Sequence, residues 1–221
     1  MKFQINKAAS TAKAAIAEAD MALINAQALR ELSHDEVFTF KVNACNDQVD
    51  RDFERFTPAT LTCLAKLFVG KTVIFDHHWS ASNQTARIYK TTVNQQEDGS
   101  YVLTAECYML RNDSTKDLVA AIEGGILREV SVGCAISKAV CSICGEEYGT
   151  CAHHKGAVYE GQLCVCELHD PVDAYELSFV AVPAQPDAGI TKEAHKTGWT
   201  PADMTAAKAQ LEIENERWRY V

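Results

Sequence analysis

Short stretches that alternate between apolar and polar residues, parted by turn residues, set the tightest limit on how this chain can fold. VFTFKVNAC (37–45) alternates like a strand with one buried face. KTVIFD (71–76) reads as a short buried strand that runs into His77. TARIYKTTVN (85–94) and SYVLTAECYML (100–110) flank the turn QQEDG and predict a hairpin. ILREVSVGCAISKAV (126–140) is a long strand, and YELSFVAV (175–182) is another, stopped by Pro183 and Pro186. Strands in succession with short turns predict an antiparallel β-barrel of about six or seven strands. Helices flank it. Thr57-Pro58 opens one that reaches Phe68 and ends at Gly70, and Asp113 or Ser114 caps TKDLVAAIEGG. The Ala-rich stretch 7–32 carries a thin apolar stripe, and Thr200-Pro201 starts an amphipathic helix to about residue 218. NDQVDRDFERF (46–56) reads as a polar loop. The expected class is therefore mainly β with flanking helices (α+β). Its divisions are a helical segment at 1–34, the barrel at 35–190 and a C-terminal helix at 191–221.

Charge and hydropathy narrow the function. A formal net charge of −9 over 221 residues argues against wrapping nucleic acid, which needs clustered Lys and Arg. No apolar run reaches the length of a membrane span. The first residues lack the apolar core of a signal peptide, with Glu18 and Asp20 interrupting them, so a cytoplasmic protein is expected.

Five of the nine cysteines fall between 141 and 166, beside His153, His154 and His169. In a reducing compartment such density points to a metal rather than to disulfides. The spacing Cys141-x2-Cys144-x6-Cys151-x-His153 supplies four ligands for a tetrahedral zinc ion, and Cys164 is an alternative to His153 as the fourth. Residues 141–170 would then form a small zinc knuckle inserted in the barrel, with the metal structural because four protein ligands leave no open position. Cys45, Cys63, Cys107 and Cys134 sit singly in apolar stretches and read as small buried hydrophobes.

Three places set reactive side chains beside apolar strands. Asp76-His77-His78 follows a strand end, a good mount for a general base, although a histidine there is ordinarily a surface residue. Ser131 lies mid-strand two residues before Gly133, where a lone serine is ordinarily a small polar filler. Glu176 begins an apolar strand, where it either faces solvent or needs a partner. Together they supply a nucleophile (Ser131), a base (His77) and an orienting carboxylate (Glu176). The surroundings of Ser131 do not match the G-x-S-x-G elbow of the α/β hydrolases.

The order and context of these residues resemble the prohead (procapsid maturation) serine proteases of tailed phages, which are similar in fold to herpesvirus assemblins. Asp50-Arg51-x-x-Glu54-Arg55 before the Thr57-Pro58 helix resembles that family's early turn and helix. Asp76-His77 resembles the strand end presenting its histidine, and IEGGILREVSVG the helix and strand presenting its serine. ELSFVAVPAQPDA resembles its acidic strand. The likeness covers about 37–190, and a CSICG…C-x-H insertion occurs in some phage proteases of this type. It favours His77 over His78, because His77 directly follows the aspartate.

The resemblance implies a serine endopeptidase of capsid maturation. Its substrates would be scaffold, the scaffolding segment of the major capsid protein, and the protease itself, inside the procapsid of an infected bacterial host. Charge and hydropathy predict no nucleic-acid or membrane partner; the terminal helices are candidates for tethering the protease to the assembling shell, and the protein is a candidate for self-association. Two other readings compete: a non-catalytic zinc-binding structural or scaffold protein of the procapsid, and a metallohydrolase using His77 and His78.

Overall fold

The structure is a computed structural model that describes residues 16–191. The expected C-terminal helix and the first part of the N-terminal one lie outside the described residues.

Helix α1 (Glu18–Asn25) ends before the Ala-rich stretch does. It buries Met21 and Ile24 in a small cluster with Leu32, Val37, Tyr89 and Tyr108. Asn25 then folds the chain back by pairing its amide with the backbone of Leu32 at 2.8 and 3.2 Å. Strand β1 (Val37–Asn46) follows, with Val42 fully buried.

The polar stretch 46–56 contains a three-residue strand, β2 (Glu54–Phe56), too short to leave a periodic signal. Helix α2 (Pro58–Phe68) starts as its residues demand: Thr57 Oγ1 accepts from the Thr60 N–H at 3.2 Å, and Pro58 takes the first helical position. Leu61, Leu64 and Phe68 fall on one face and are buried. Each stabilises the fold by roughly 1.5–3 kcal/mol relative to exposure.

Strands β3 (Thr72–Phe75), β4 (Ala86–Gln95) and β5 (Tyr101–Leu110) come next, then helix α3 (Lys116–Glu123). The long strands β6 (Val130–Cys141) and β9 (Cys166–Phe179) form a hairpin. At its tip lies a two-stranded sheet of β7 (Val158–Tyr159) and β8 (Gln162–Leu163). Strand β10 (Gly189–Ile190) closes the described chain.

The strands form a mixed sheet, in the order β10-β1-β5-β4-β3-β9-β2 with β6 on β9, and not the closed antiparallel barrel that the succession of strands predicts. Glu129, just before β6, makes an isolated antiparallel bridge to Gly189 of β10. The departure from an all-antiparallel arrangement comes from α2. By crossing between β2 and β3, it brings both strands in parallel to β9 along one edge, β2 at 166–168 and β3 at 176–179. The opposite edge of β9 carries β6 antiparallel, from Val130↔Phe179 to Cys141↔Cys166, with register shifts after Gly133 and Ala135. Because β9 begins at Cys166, the expected insertion at 141–170 gives up its last residues to a strand. Among the described residues no helix is long and apolar enough to cross a membrane.

Candidate active site and metal cluster

Strand β3 ends at Phe75, and the next two residues enter the left-handed region, Asp76 at φ 51° and His77 at φ 52°. Each costs roughly 1–3 kcal/mol in a residue with a Cβ, so the surroundings must hold the turn. The Asp76 N–H donates to Phe179 O at 3.0 Å, and Asn83 Nδ2 donates to Phe75 O at 3.0 Å and to His78 O at 2.8 Å. The turn aims His77 back across the sheet, where Nδ1 meets Glu176 Oε1 at 2.7 Å. An ionised carboxylate only accepts, so Nδ1 carries the proton and Nε2 of the neutral ring is left as a base. Half of the His77 side chain remains open to solvent, whereas Glu176 is 2% exposed. Burying that charge is tolerable because both oxygens have donors: His77 on Oε1, and Ser178 Oγ on Oε2 at 2.6 Å. The alternative of a solvent-facing Glu176 is thereby corrected. Exposed His78 is not drawn into this arrangement.

Strand register puts Ser131 on the same sheet face as Glu176. In the β6–β9 ladder Ser131 is opposite Ser178, and Gly133 is opposite Glu176. Opposed residues share a face, with Cβ atoms about 4.5–5.5 Å apart. Ser131 is half-buried and makes no hydrogen bond to His77 among the described residues. It lines a cavity of about 390 Å³, together with Cys45, Asp50, Phe56, Val132 and Gln185. The glycine expected to permit close approach does so for a specific reason: a Cβ at Gly133 would lie 2.3 Å from Glu176 Oε1. Sequence reasoning missed Ser178. The signal available for it was the spacing Glu176-x-Ser178, which puts two polar side chains on one face of an apolar strand.

The hairpin carries a second cluster at its other end. The ligand atoms of Cys141, Cys144, Cys151 and His153 all lie within 4.8 Å of one another, so this group could hold a metal ion such as zinc. The site fits a cation in two further respects. His153 Nδ1 is buried without a hydrogen-bond partner. Burial pushes the Cys141 thiol up, but hydrogen bonds from the backbone of Cys144 and Ile143 and from neighbouring thiols outweigh it and bring the thiol down to about 6. Cys164, the alternative fourth ligand, lies outside the set of four. Its sulfur is 3.8 Å from that of Cys141, and burial raises its thiol to about 11. Among the described residues, His77 and His78 belong to no such group. Lys155 pairs with Glu54 at 2.5 Å and the Cys166 N–H donates to Phe53 O at 2.9 Å, which fastens the cluster to β2.

Of the four isolated cysteines, Cys45 and Cys107 are buried as expected, and burial pushes both thiols up. Cys63 is exposed on α2 and Cys134 is half-buried at the cavity, so those two expectations are corrected. Apolar flanks along the sequence do not reveal which face of a helix or strand turns inward.

Comparison of the chain with family models, with curated proteins and with solved structures finds no match.

Proposed function

We propose that the protein is a serine endopeptidase in which Ser131 is the nucleophile, His77 the general base and Glu176 the group that orients the base. The observation that carries this reading is the 2.7 Å contact between His77 Nδ1 and the buried carboxylate of Glu176, on the sheet face that also bears Ser131. A buried carboxylate that fixes an imidazole tautomer beside a serine is the arrangement nucleophilic acyl transfer requires.

In the reaction His77 Nε2 takes the Ser131 proton as Oγ bonds to the scissile carbonyl carbon. It then gives that proton to the leaving amine as the C–N bond breaks. Water, deprotonated by the same nitrogen, releases the acyl group and restores Ser131. Glu176 stays ionised and stabilises the imidazolium in both halves.

On the resemblance of the four sequence stretches, the substrates are the scaffold and the scaffolding segment of a phage major capsid protein, and the protease itself, inside the procapsid. Cys141, Cys144, Cys151 and His153 would hold one structural zinc ion. The test is incubation of the purified protein with itself and with unprocessed capsid protein. Cleavage that disappears in Ser131→Ala supports the reading, and equal cleavage by Ser131→Ala refutes it. A protein that binds zinc and cleaves neither substrate is the non-catalytic alternative.

A further inference from the structure

We infer that Ser178 is a positioning residue that holds the carboxylate and the histidine in one hydrogen-bonded ring. Three contacts close the ring: His77 N–H to Ser178 Oγ at 3.0 Å, Ser178 Oγ–H to Glu176 Oε2 at 2.6 Å, and His77 Nδ1–H to Glu176 Oε1 at 2.7 Å. A hydroxyl has one proton to give. Here it goes to the carboxylate, and a lone pair of the same oxygen takes the histidine's own amide. Ser178 thus grips the backbone of His77 while fixing the acceptor of its side chain.

The ring removes two freedoms. A carboxylate held through one oxygen alone can swing about its last torsion, and a carboxylate held through both cannot. The left-handed turn at His77 leaves that residue's amide pointing at β9, where Ser178 supplies its acceptor. Ser178 has no exposed surface and its proton is committed to a buried anion, so it is not itself the nucleophile. That separates its role from that of half-exposed Ser131, directly opposite in the ladder.

The part that Ser178 plays in catalysis rests on the protease reading, whereas its part in fixing the imidazole does not. The test therefore uses both readouts. In a Ser131→Ala background, the ¹⁵N shifts of the neutral His77 ring report the tautomer without any need for activity. With Ser178 present, Nδ1–H is the dominant form. Ser178→Ala shifts the ratio toward Nε2–H by about tenfold, the size expected for a charge-assisted hydrogen bond. Ser178→Cys, nearly equal in volume and a weaker donor, moves it in the same direction by less, and carries the test where the alanine variant does not fold. On the Ser131 enzyme, Ser178→Ala lowers kcat about ten- to a hundredfold with KM within twofold. An unchanged tautomer ratio in a folded Ser178 variant overturns the proposal. A shifted ratio in a protein whose cleavage does not depend on Ser131 upholds the positioning role and refutes the protease reading alone.

Discussion

Replacing Gly133 by alanine is a small change that the site is built to reject. The new Cβ would sit 2.3 Å from Glu176 Oε1 and 3.1 Å from its Cδ. A carbon and an oxygen in ordinary contact stand roughly 3.2–3.5 Å apart, so one must move by about 1 Å. Both strands are pinned by their ladder, and the carboxylate is the softer partner. A 1 Å displacement takes the 2.7 Å contact to His77 past the length at which a hydrogen bond survives. The overpacking itself costs about 1–3 kcal/mol, and the weakened bonds of a buried carboxylate about 1–3 kcal/mol more. For a domain of this size, a total of about 2–6 kcal/mol lowers Tm by roughly 4–24 °C. Cleavage should fall further than stability does, by about 10²–10⁴ at temperatures where the variant is folded, because the base loses its orienting group. Thermal unfolding followed by circular dichroism, with a peptide-cleavage assay below the transition, measures both. A Gly133→Ala protein with wild-type Tm and wild-type activity would show that Glu176 is not held where the register places it.

Ser131→Ala and His77→Ala should each reduce cleavage by about 10⁴–10⁶ while leaving the fold intact, read by cleavage assays and circular dichroism on the same samples. Elemental analysis should find about one zinc per chain, and Cys144→Ser should lose it. A chelator should speed amide exchange across 141–166 while the β1–β5 ladder keeps its protection. The side-chain hydrogen bond from Arg55, chief among several effects, holds the Glu167 carboxyl below its usual range. Its stabilising contribution is therefore complete above the ordinary carboxylate pKa and disappears as pH falls through the depressed one. Arg55→Met should erase that part of the acid-unfolding curve, and superimposable acid titrations of the two proteins would refute the assignment.

The sequence made some of this legible, and its limits have physical causes. His77 stood out because an apolar strand delivers it, and Glu176 because a carboxylate in an apolar strand needs a partner. Cys141-x2-Cys144 announced itself through spacing alone. The placing of Ser131 on the sheet face of Glu176 depends on register across 45 residues of chain, and no local pattern encodes register. Strand β2 is three residues long, below any periodicity. Strand β9 was legible only in its second half, since the first half, with exposed Asp170 and Val172 around Pro171, lacks the alternation of a strand with one buried face. The parallel pairing of β3 with β9 follows from the direction in which α2 returns the chain, which depends on packing and not on composition.

Because β6 and β9 stay paired out to Cys141 and Cys166, everything between them hangs from two neighbouring points about 5 Å apart. Such a segment is a detachable module: a tight turn spans the same gap without altering the path of either strand. Its further attachments include Lys155 with Glu54 of β2, Gly156 against the ring of Phe53, and the Tyr148 N–H on Ala139 O of β6. Grafting the module onto the tip of an unrelated antiparallel hairpin would therefore require only the two anchoring strand ends and a surface to rest on. Shortening it to a turn in this chain would leave Ser131, Gly133, Glu176 and Ser178 in an unbroken ladder.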